Sequence, residues 1–148
     1  MGANGVAGTV LYVEDEESDR LFMEMAFERA GLQGQLRAVG NGGEALDYLA
    51  GRGAYADRGR YPLPLVVLLD LNLPRVSGFE VLTWVRSRPE LASLPVVVFS
   101  SSLREQDQLK ARELGATEYV EKPHSGLKFQ EVVERLKERW LASPSLEP

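Results

Sequence analysis

The chain has no cysteine among its 148 residues and a single histidine, His124. The first absence removes disulfides, thiolate nucleophiles and zinc-cysteine sites together. The second argues against a His-rich metal centre or an imidazole relay. No run approaches the roughly 18 apolar residues of a membrane helix, and the N-terminus MGANGVAGT lacks the basic region and apolar core of a signal peptide. The expectations are no membrane partner and a cytoplasmic location. Positive charge is also scarce: 17 Lys and Arg against 22 Asp and Glu leave a net charge of -5, which argues against nonspecific binding to nucleic acid. With 44% apolar and 26% charged residues, the composition is that of an ordinary globular domain, and the length suits one such domain.

What is present is organised around Leu65 to Gly78, LVVLLDLNLPRVSG. Its apolar run predicts a strand buried on both faces of a parallel sheet, delivering Asp70 to the C-terminal edge where ligands of open α/β sheets bind. Asn72 and the Leu73-Pro74 turn follow, and Ser77-Gly78 lead by a tight approach into a helix reaching about Arg88. Taken alone, a strand-end Asp is also a plain helix cap or loop residue.

Upstream, residues 1–8 read as a flexible tail. A strand over Thr9–Val13 runs straight into four acids, Glu14 to Glu17. Ser18 is the expected cap of a helix carrying Phe22, Met23, Ala26, Phe27 and Ala30 and ending at Gly31. Helix-start acids account for Glu16 and Glu17 but not for Glu14 and Asp15 at the strand end. Gln35–Val39 predicts a second strand, and Asn41 with Glu44 a capping box opening a short helix. Residues 50–64 are long for a connection within a domain, either an interaction loop or a mobile one. Pro95–Phe99 predicts a fourth strand ending in Ser100, Ser101 and Ser102, with Ser102 and Glu105 pairing to cap a helix over Leu103–Leu114. Thr117–Val120 predicts a fifth strand leading to Lys122-Pro123, and Leu127–Leu141 a last amphipathic helix that includes Trp140, before a flexible tail over 142–148. Five strands alternating with five helices imply a doubly wound parallel sheet with right-handed crossovers.

That topology gathers Glu14, Asp15, Asp70, Ser100 and Lys122 on one edge. Three crowded carboxylates repel unless a divalent cation offsets them, and oxygen ligands suit Mg²⁺ completed by a phosphate. Lys122 would pair with phosphoryl oxygens and the Ser100 hydroxyl would donate to them, while an Asp carboxylate can itself become the aspartyl phosphate. A Lys-Asp structural pair and a serine-rich cap are the plain alternatives for each feature singly.

The stretches LYVEDEESD, LLDLNLPRVSGFEVL, PVVVFSSS and ELGATEYVEKP, in this order and spacing, resemble the receiver domains of two-component response regulators over Thr9 to about Leu141. The resemblance implies the sheet order 2-1-3-4-5 with five helices. It implies Asp70 as phosphoacceptor, with Mg²⁺ (or Mn²⁺) held by Asp15, Asp70 and the backbone carbonyl of Asn72, and Glu14 acting partly through water. Ser100, with Ser101 beside it, and Lys122 would bind the phosphoryl group. Ser100 and Tyr119 would form the switch, Asn72 and Ser102 would tune the lifetime, and the Lys122-Pro123 peptide would be cis. Serine at 100 stands where threonine is more frequent, and His124 where an aromatic is common.

The long 50–64 segment and the Trp140 helix resemble the stand-alone receivers that partner bacterial phytochromes. The expected partners are a sensor histidine kinase or phosphotransfer protein, an unnamed downstream protein, and a second copy of the chain through the last helix. Two other readings stay open. One is a Mg²⁺-dependent phosphohydrolase of the haloacid dehalogenase type, which Asn72 disfavours because that family needs an acid there. The other is a receiver-shaped scaffold that is never phosphorylated.

Overall fold

The computed structural model describes residues 8–141, so the expected C-terminal tail over 142–148, and the expected N-terminal tail over 1–8 save for residue 8, lie outside the described residues. Five parallel strands, β1 (Val10–Val13), β2 (Leu36–Val39), β3 (Val66–Leu69), β4 (Val96–Ser100) and β5 (Glu118–Glu121), form one sheet in the order β2-β1-β3-β4-β5. The helices are α1 (Glu17–Arg29), α2 (Gly42–Ala50), α3 (Gly78–Ser87), α4 (Glu105–Glu113) and α5 (Phe129–Leu136). The fold class and strand order agree with the sequence reading.

Alternation of side chains along the central strands divides the core into two layers. Val10, Tyr12, Val66, Leu68, Val97 and Phe99 pack with Met23 and Phe27 of α1 and Phe129, Val133 and Leu136 of α5. On the other face, Leu11, Val13, Val67, Leu69 and Val96 pack with Ala45, Tyr48 and Leu49 of α2 and Val81, Leu82 and Val85 of α3. β1, β3 and β4 are buried throughout, which is why they read as unbroken apolar runs; β2 and β5, at the edges, are only half-buried. Burial of each such Val, Leu or Phe contributes about 1.5–3 kcal/mol, so these two layers fix the strand register that sets the upper edge of the sheet.

Several local expectations are corrected. Ser18 does not cap α1: the N-cap is Glu16, whose own N–H donates to Glu14 Oε2 at 3.1 Å, so Ser18 falls inside the helix. Asn41 does cap α2, accepting from Glu44 N–H at 2.8 Å, but Glu44 reaches back to Gly40 rather than to Asn41. A complete capping box forms instead at Ser77 and Glu80 of α3. The Ser102-Glu105 pair does not form, because α4 starts at Glu105 behind an Arg104 N-cap that has no side-chain cap. The last helix is not continuous: a 3₁₀ turn over Gly126–Lys128 precedes α5, and a π-helical turn over Lys137–Leu141 follows it. The wider turn matches a five-residue spacing that buries both Leu136 and Leu141.

The 50–64 segment is neither extended nor unattached. The Arg58 guanidinium donates to the carbonyls of Tyr48 (2.7 Å), Leu49 (2.8 Å) and Tyr61 (2.9 Å), capping the C-terminal end of α2. Tyr48, Tyr55 and Tyr61 pack against one another in tilted and edge-on pairs with ring centroids 5.0–6.0 Å apart.

Candidate functional site

Register places the acids. Val13 lies opposite Leu69 in the β1-β3 ladder, so the residues that follow, Glu14 and Asp70, leave the sheet side by side. Glu14 and Asp70 are buried and Asp15 is exposed, yet an oxygen from each lies within 4.8 Å of the other two. Gly78 permits the Asp70 backbone to pass under α3, since a Cβ at 78 would stand 2.3 Å from the Asp70 carbonyl oxygen.

Lys122, from the end of β5, closes the cluster. Its ammonium donates to Glu14 Oε1 (2.8 Å) and Asp19 Oδ2 (3.0 Å) and reaches Asp70 Oδ2 at 3.5 Å. Asp70 Oδ1 also accepts the Asn72 N–H at 3.2 Å. Three residues of the site were not singled out from the sequence. Asp19 lies on the first turn of α1, just beyond the acidic run that drew attention. Tyr12, two residues before Glu14 and therefore on the same strand face, donates its buried hydroxyl to Glu14 Oε1 at 3.2 Å. Arg20 donates to the Glu14 carbonyl at 2.6 Å. The period of two from Tyr12 to Glu14 was the available signal for the tyrosine; nothing in the sequence marks Arg20.

The electrostatics follow from burial. Desolvation pushes the Glu14 carboxyl up to about 7, with the Lys122 hydrogen bond opposing and the Asp70 charge adding to the rise. Desolvation and the nearby carboxylates raise the Tyr12 hydroxyl far above its ordinary range. For Lys122, burial works toward a lower value, but hydrogen bonds to Glu14 and Asp19 and the charge of Asp70 outweigh it and raise the pKa. Four carboxylates thus face one ammonium, an excess of negative charge at which a cation would bind. Hard carboxylate oxygens fit Mg²⁺ or Mn²⁺ rather than a soft metal.

The remaining predicted residues divide. Ser100 is fully buried at the end of β4, where its hydroxyl accepts the Ser102 N–H at 3.2 Å. Ser101 is exposed beside it, and Asn72 is exposed at the mouth of the cluster. Tyr119 is half-buried against Leu71, Val98, Ala111 and Phe79, with its hydroxyl donating to the Ser102 carbonyl at 2.9 Å. The Ser102 hydroxyl turns away from the carboxylates to Asp107 Oδ2, at 2.6 Å. His124 is exposed and lies 3.5 Å from Glu121, outside the cluster. Trp140 is half-buried on the α1/α5 layer, with the Arg139 guanidinium 4.7 Å from its ring centroid.

The expectation of a cis Lys122-Pro123 bond is not met: no peptide bond among the described residues is cis. The trans isomer is the more stable by about 0.5–1 kcal/mol for X-Pro, and in it Lys122 already reaches all three carboxylates, so no contact here favours the other isomer.

Comparison with known proteins agrees with this geometry. The family described as response regulator receiver domain matches residues 10–137. The probable methanogenesis regulatory protein FilR2 of Methanothrix harundinacea is 37% identical over 132 residues, covering 89% of this chain and 83% of that protein. Response regulator Rcp1 of Synechocystis is 30% identical over 137 residues, covering 93% of this chain and 91% of the relative. A crystal structure of the Mn²⁺-bound form of response regulator Rcp1 superposes with a TM-score of 0.81 at 29% identity, over 96% of this chain and all of the other. The phosphorylated cyanobacterial phytochrome response regulator RcpA gives 0.81 at 32% identity, over 90% of this chain and 93% of its own.

Proposed function

Because the chain belongs to the response regulator receiver family, as a response regulator of the Rcp1 type, we propose that its receiver unit, residues 9–141, accepts a phosphoryl group on Asp70. The observation that carries this reading is the crowding of Glu14, Asp15 and Asp70 against the Lys122 ammonium. Asp70 attacks the phosphorus of a phosphohistidine on a sensor kinase or phosphotransfer protein. The new bond is O–P, the N–P bond breaks, and the imidazole leaves with the electron pair. Mg²⁺, held by Asp15, Asp70 and the Asn72 carbonyl with Glu14 beside it, would supply charge neutralisation on the phosphoryl oxygens. Lys122 exchanges its contact with Asp70 for a phosphoryl oxygen, and the Ser100 hydroxyl and Ser101 N–H donate to the others. The product carries about 1.5–2 additional negative charges. Movement of Ser100 draws Tyr119 inward and alters the α4-β5-α5 surface read by a downstream protein, while Asn72 and Ser102 govern access of the hydrolytic water.

The protein is on this reading a cytoplasmic signalling protein that assists its own phosphorylation and dephosphorylation. Among the described residues no helix is long and apolar enough to cross a membrane. The phosphohydrolase alternative finds no support at position 72, where an exposed Asn cannot deliver a proton. Titration with Mg²⁺ and then beryllofluoride, followed by tryptophan fluorescence and calorimetry, tests the reading. Wild type should give a beryllofluoride response that requires Mg²⁺ and Asp70→Asn none; a beryllofluoride response that survives in Asp70→Asn would refute it.

Similarity to RcpA supports a sensor kinase of the phytochrome class as the phosphodonor. Phosphotransfer that depends on the light state of such a kinase is the corresponding measurement. The half-buried Trp140 at the end of the last helix supports self-association there, and light scattering of wild type and Trp140→Ala decides it, an unchanged monomer mass in both being the contrary result.

A further inference from the structure

A second polar cluster at the junction of β4 and α4 adds Asp107, which the reading above does not use, to Ser100, Ser102 and Tyr119. Ser102 is bonded at every polar atom. Its N–H donates to Ser100 Oγ (3.2 Å), its carbonyl accepts from Tyr119 Oη (2.9 Å), its hydroxyl donates to Asp107 Oδ2 (2.6 Å), and the same hydroxyl accepts the Arg104 N–H (3.3 Å). Asp107, on the first turn of α4, also receives the Arg104 guanidinium, at 3.3 Å from Nε and 3.4 Å from Nη2. The Ser102 hydrogen bond, followed by that of Arg104, holds the Asp107 carboxyl below the usual carboxylate range. A contact of 2.6 Å between a hydroxyl and a carboxylate is a charge-assisted one, the stronger kind. The two groups assigned to the switch, Ser100 and Tyr119, are therefore both tied to the backbone of one residue, and Asp107 fixes that residue's side chain.

We propose that Asp107 is a positioning residue that locks the β4-α4 turn in its resting arrangement by holding Ser102, whose N–H in turn engages the Ser100 hydroxyl. The inference rests on the reading of Ser100 as the hydroxyl that moves to a phosphoryl group on Asp70, and it adds what restrains that movement. When the buried Ser100 swings toward Asp70, the part-buried Ser102 N–H loses its acceptor, and a donor left partly desolvated without a partner is costly. The turn can reorganise to satisfy it only by loosening Ser102, and Asp107 opposes this from the other side. Asp107 touches none of the phosphoryl-binding atoms; it acts through Ser102. A simpler role, in which its charge merely stabilises the N-terminus of α4, would change stability without changing how tightly a phosphoryl analogue binds.

The test compares wild type, Asp107→Ala, Asp107→Asn, Ser102→Ala and the Asp107→Ala/Ser102→Ala double variant. Beryllofluoride affinity in Mg²⁺ is measured together with hydrogen-deuterium exchange of the Ser102 amide in the free protein. Loss of the lock should tighten beryllofluoride binding about ten- to a hundredfold, the size expected for one charge-assisted hydrogen bond of the resting state, and should speed Ser102 exchange. Asp107→Asn keeps an acceptor for the Ser102 hydroxyl and should fall between wild type and Asp107→Ala. The double variant should add nothing to the singles, because both remove the same contact. Unchanged affinity with unchanged exchange, or additive effects in the double variant, overturns the proposal. If wild type binds no beryllofluoride, the phosphoacceptor reading falls, and exchange alone judges the lock: faster Ser102 exchange in Asp107→Ala supports it and an unchanged rate overturns it.

Discussion

The two ends of the sheet each hold a partly buried cation, and they satisfy it in opposite ways. At the N-terminal end Arg58 gives its guanidinium to the neutral carbonyls of Tyr48, Leu49 and Tyr61. At the C-terminal end Lys122 gives its ammonium to the carboxylates of Glu14, Asp19 and Asp70. Arg58 finishes a structure, because a planar fork meets fixed backbone acceptors beside the Tyr48 ring. Lys122 leaves its site unfinished, with more anions than it can offset. A cation among carbonyls stabilises a loop, whereas a cation among surplus carboxylates leaves negative charge that, on the proposed function, a second cation and a phosphoryl group would meet.

Lys122→Met should break the comparison most strongly. Removing one partner of a buried charge cluster costs about 3–5 kcal/mol, so melting in chelator should fall sharply, and millimolar Mg²⁺ should restore more stability than it gives wild type. A loss indifferent to Mg²⁺ would mean that the two ends do not differ as argued.

Next in size is the pH dependence of the metal-free protein. The folded Glu14 carboxyl, at about 7, lies above its ordinary value of 4.5, so the folded state keeps this proton longer than the unfolded chain. Its contribution is complete below about pH 4.5 and is lost as pH rises through 7, a decline on the order of 3 kcal/mol at most. Glu14→Gln should flatten that part of a stability-pH curve measured in chelator; an equally steep curve in the variant assigns the effect elsewhere.

Arg58→Ala should cost about 2 kcal/mol by leaving three carbonyls short of a donor, with Mg²⁺ and beryllofluoride affinity unchanged. Thermal melts and calorimetry separate the two effects, and a weakened Mg²⁺ affinity would show that the two ends communicate. The smallest change is expected from Asp47→Ala. It removes an ion pair with Arg52 in which both side chains are about half exposed, and the melting free energy should shift by less than about 1 kcal/mol. A larger shift would give this exposed pair a weight that the comparison reserves for buried charge.

The fold was legible because its signals are local. Val66–Leu69 and Val96–Phe99 are unbroken apolar runs, and Gly31, Gly51 and Gly115 mark ends of helices with positive φ. The strand-end acids were legible because a parallel sheet carries every strand's last residue to one edge. What was missed depends on contacts distant in sequence. The spacing of Ser102 and Glu105 is that of a capping box, but Tyr119 pins the Ser102 carbonyl and Asp107 takes its hydroxyl, so α4 starts two residues later than expected. Asp19 became a site residue only through Lys122, 103 positions away. Arg58 stood in a segment with no periodicity, and its role appears once the end of α2 and the ring of Tyr61 are seen beside it.

The Lys122 contacts also order events during synthesis of the chain. Asp70 is made 52 residues before Lys122, and Glu14 a full 108 residues before it. At about 5–20 residues per second, the carboxylates wait on the order of several seconds for the ammonium that will hold them, and the ribosomal tunnel adds to that delay. A nascent chain therefore displays its acids without the group that readies them for a phosphoryl donor. On the proposed function, competence to receive a signal arrives only when the fifth strand has joined the sheet.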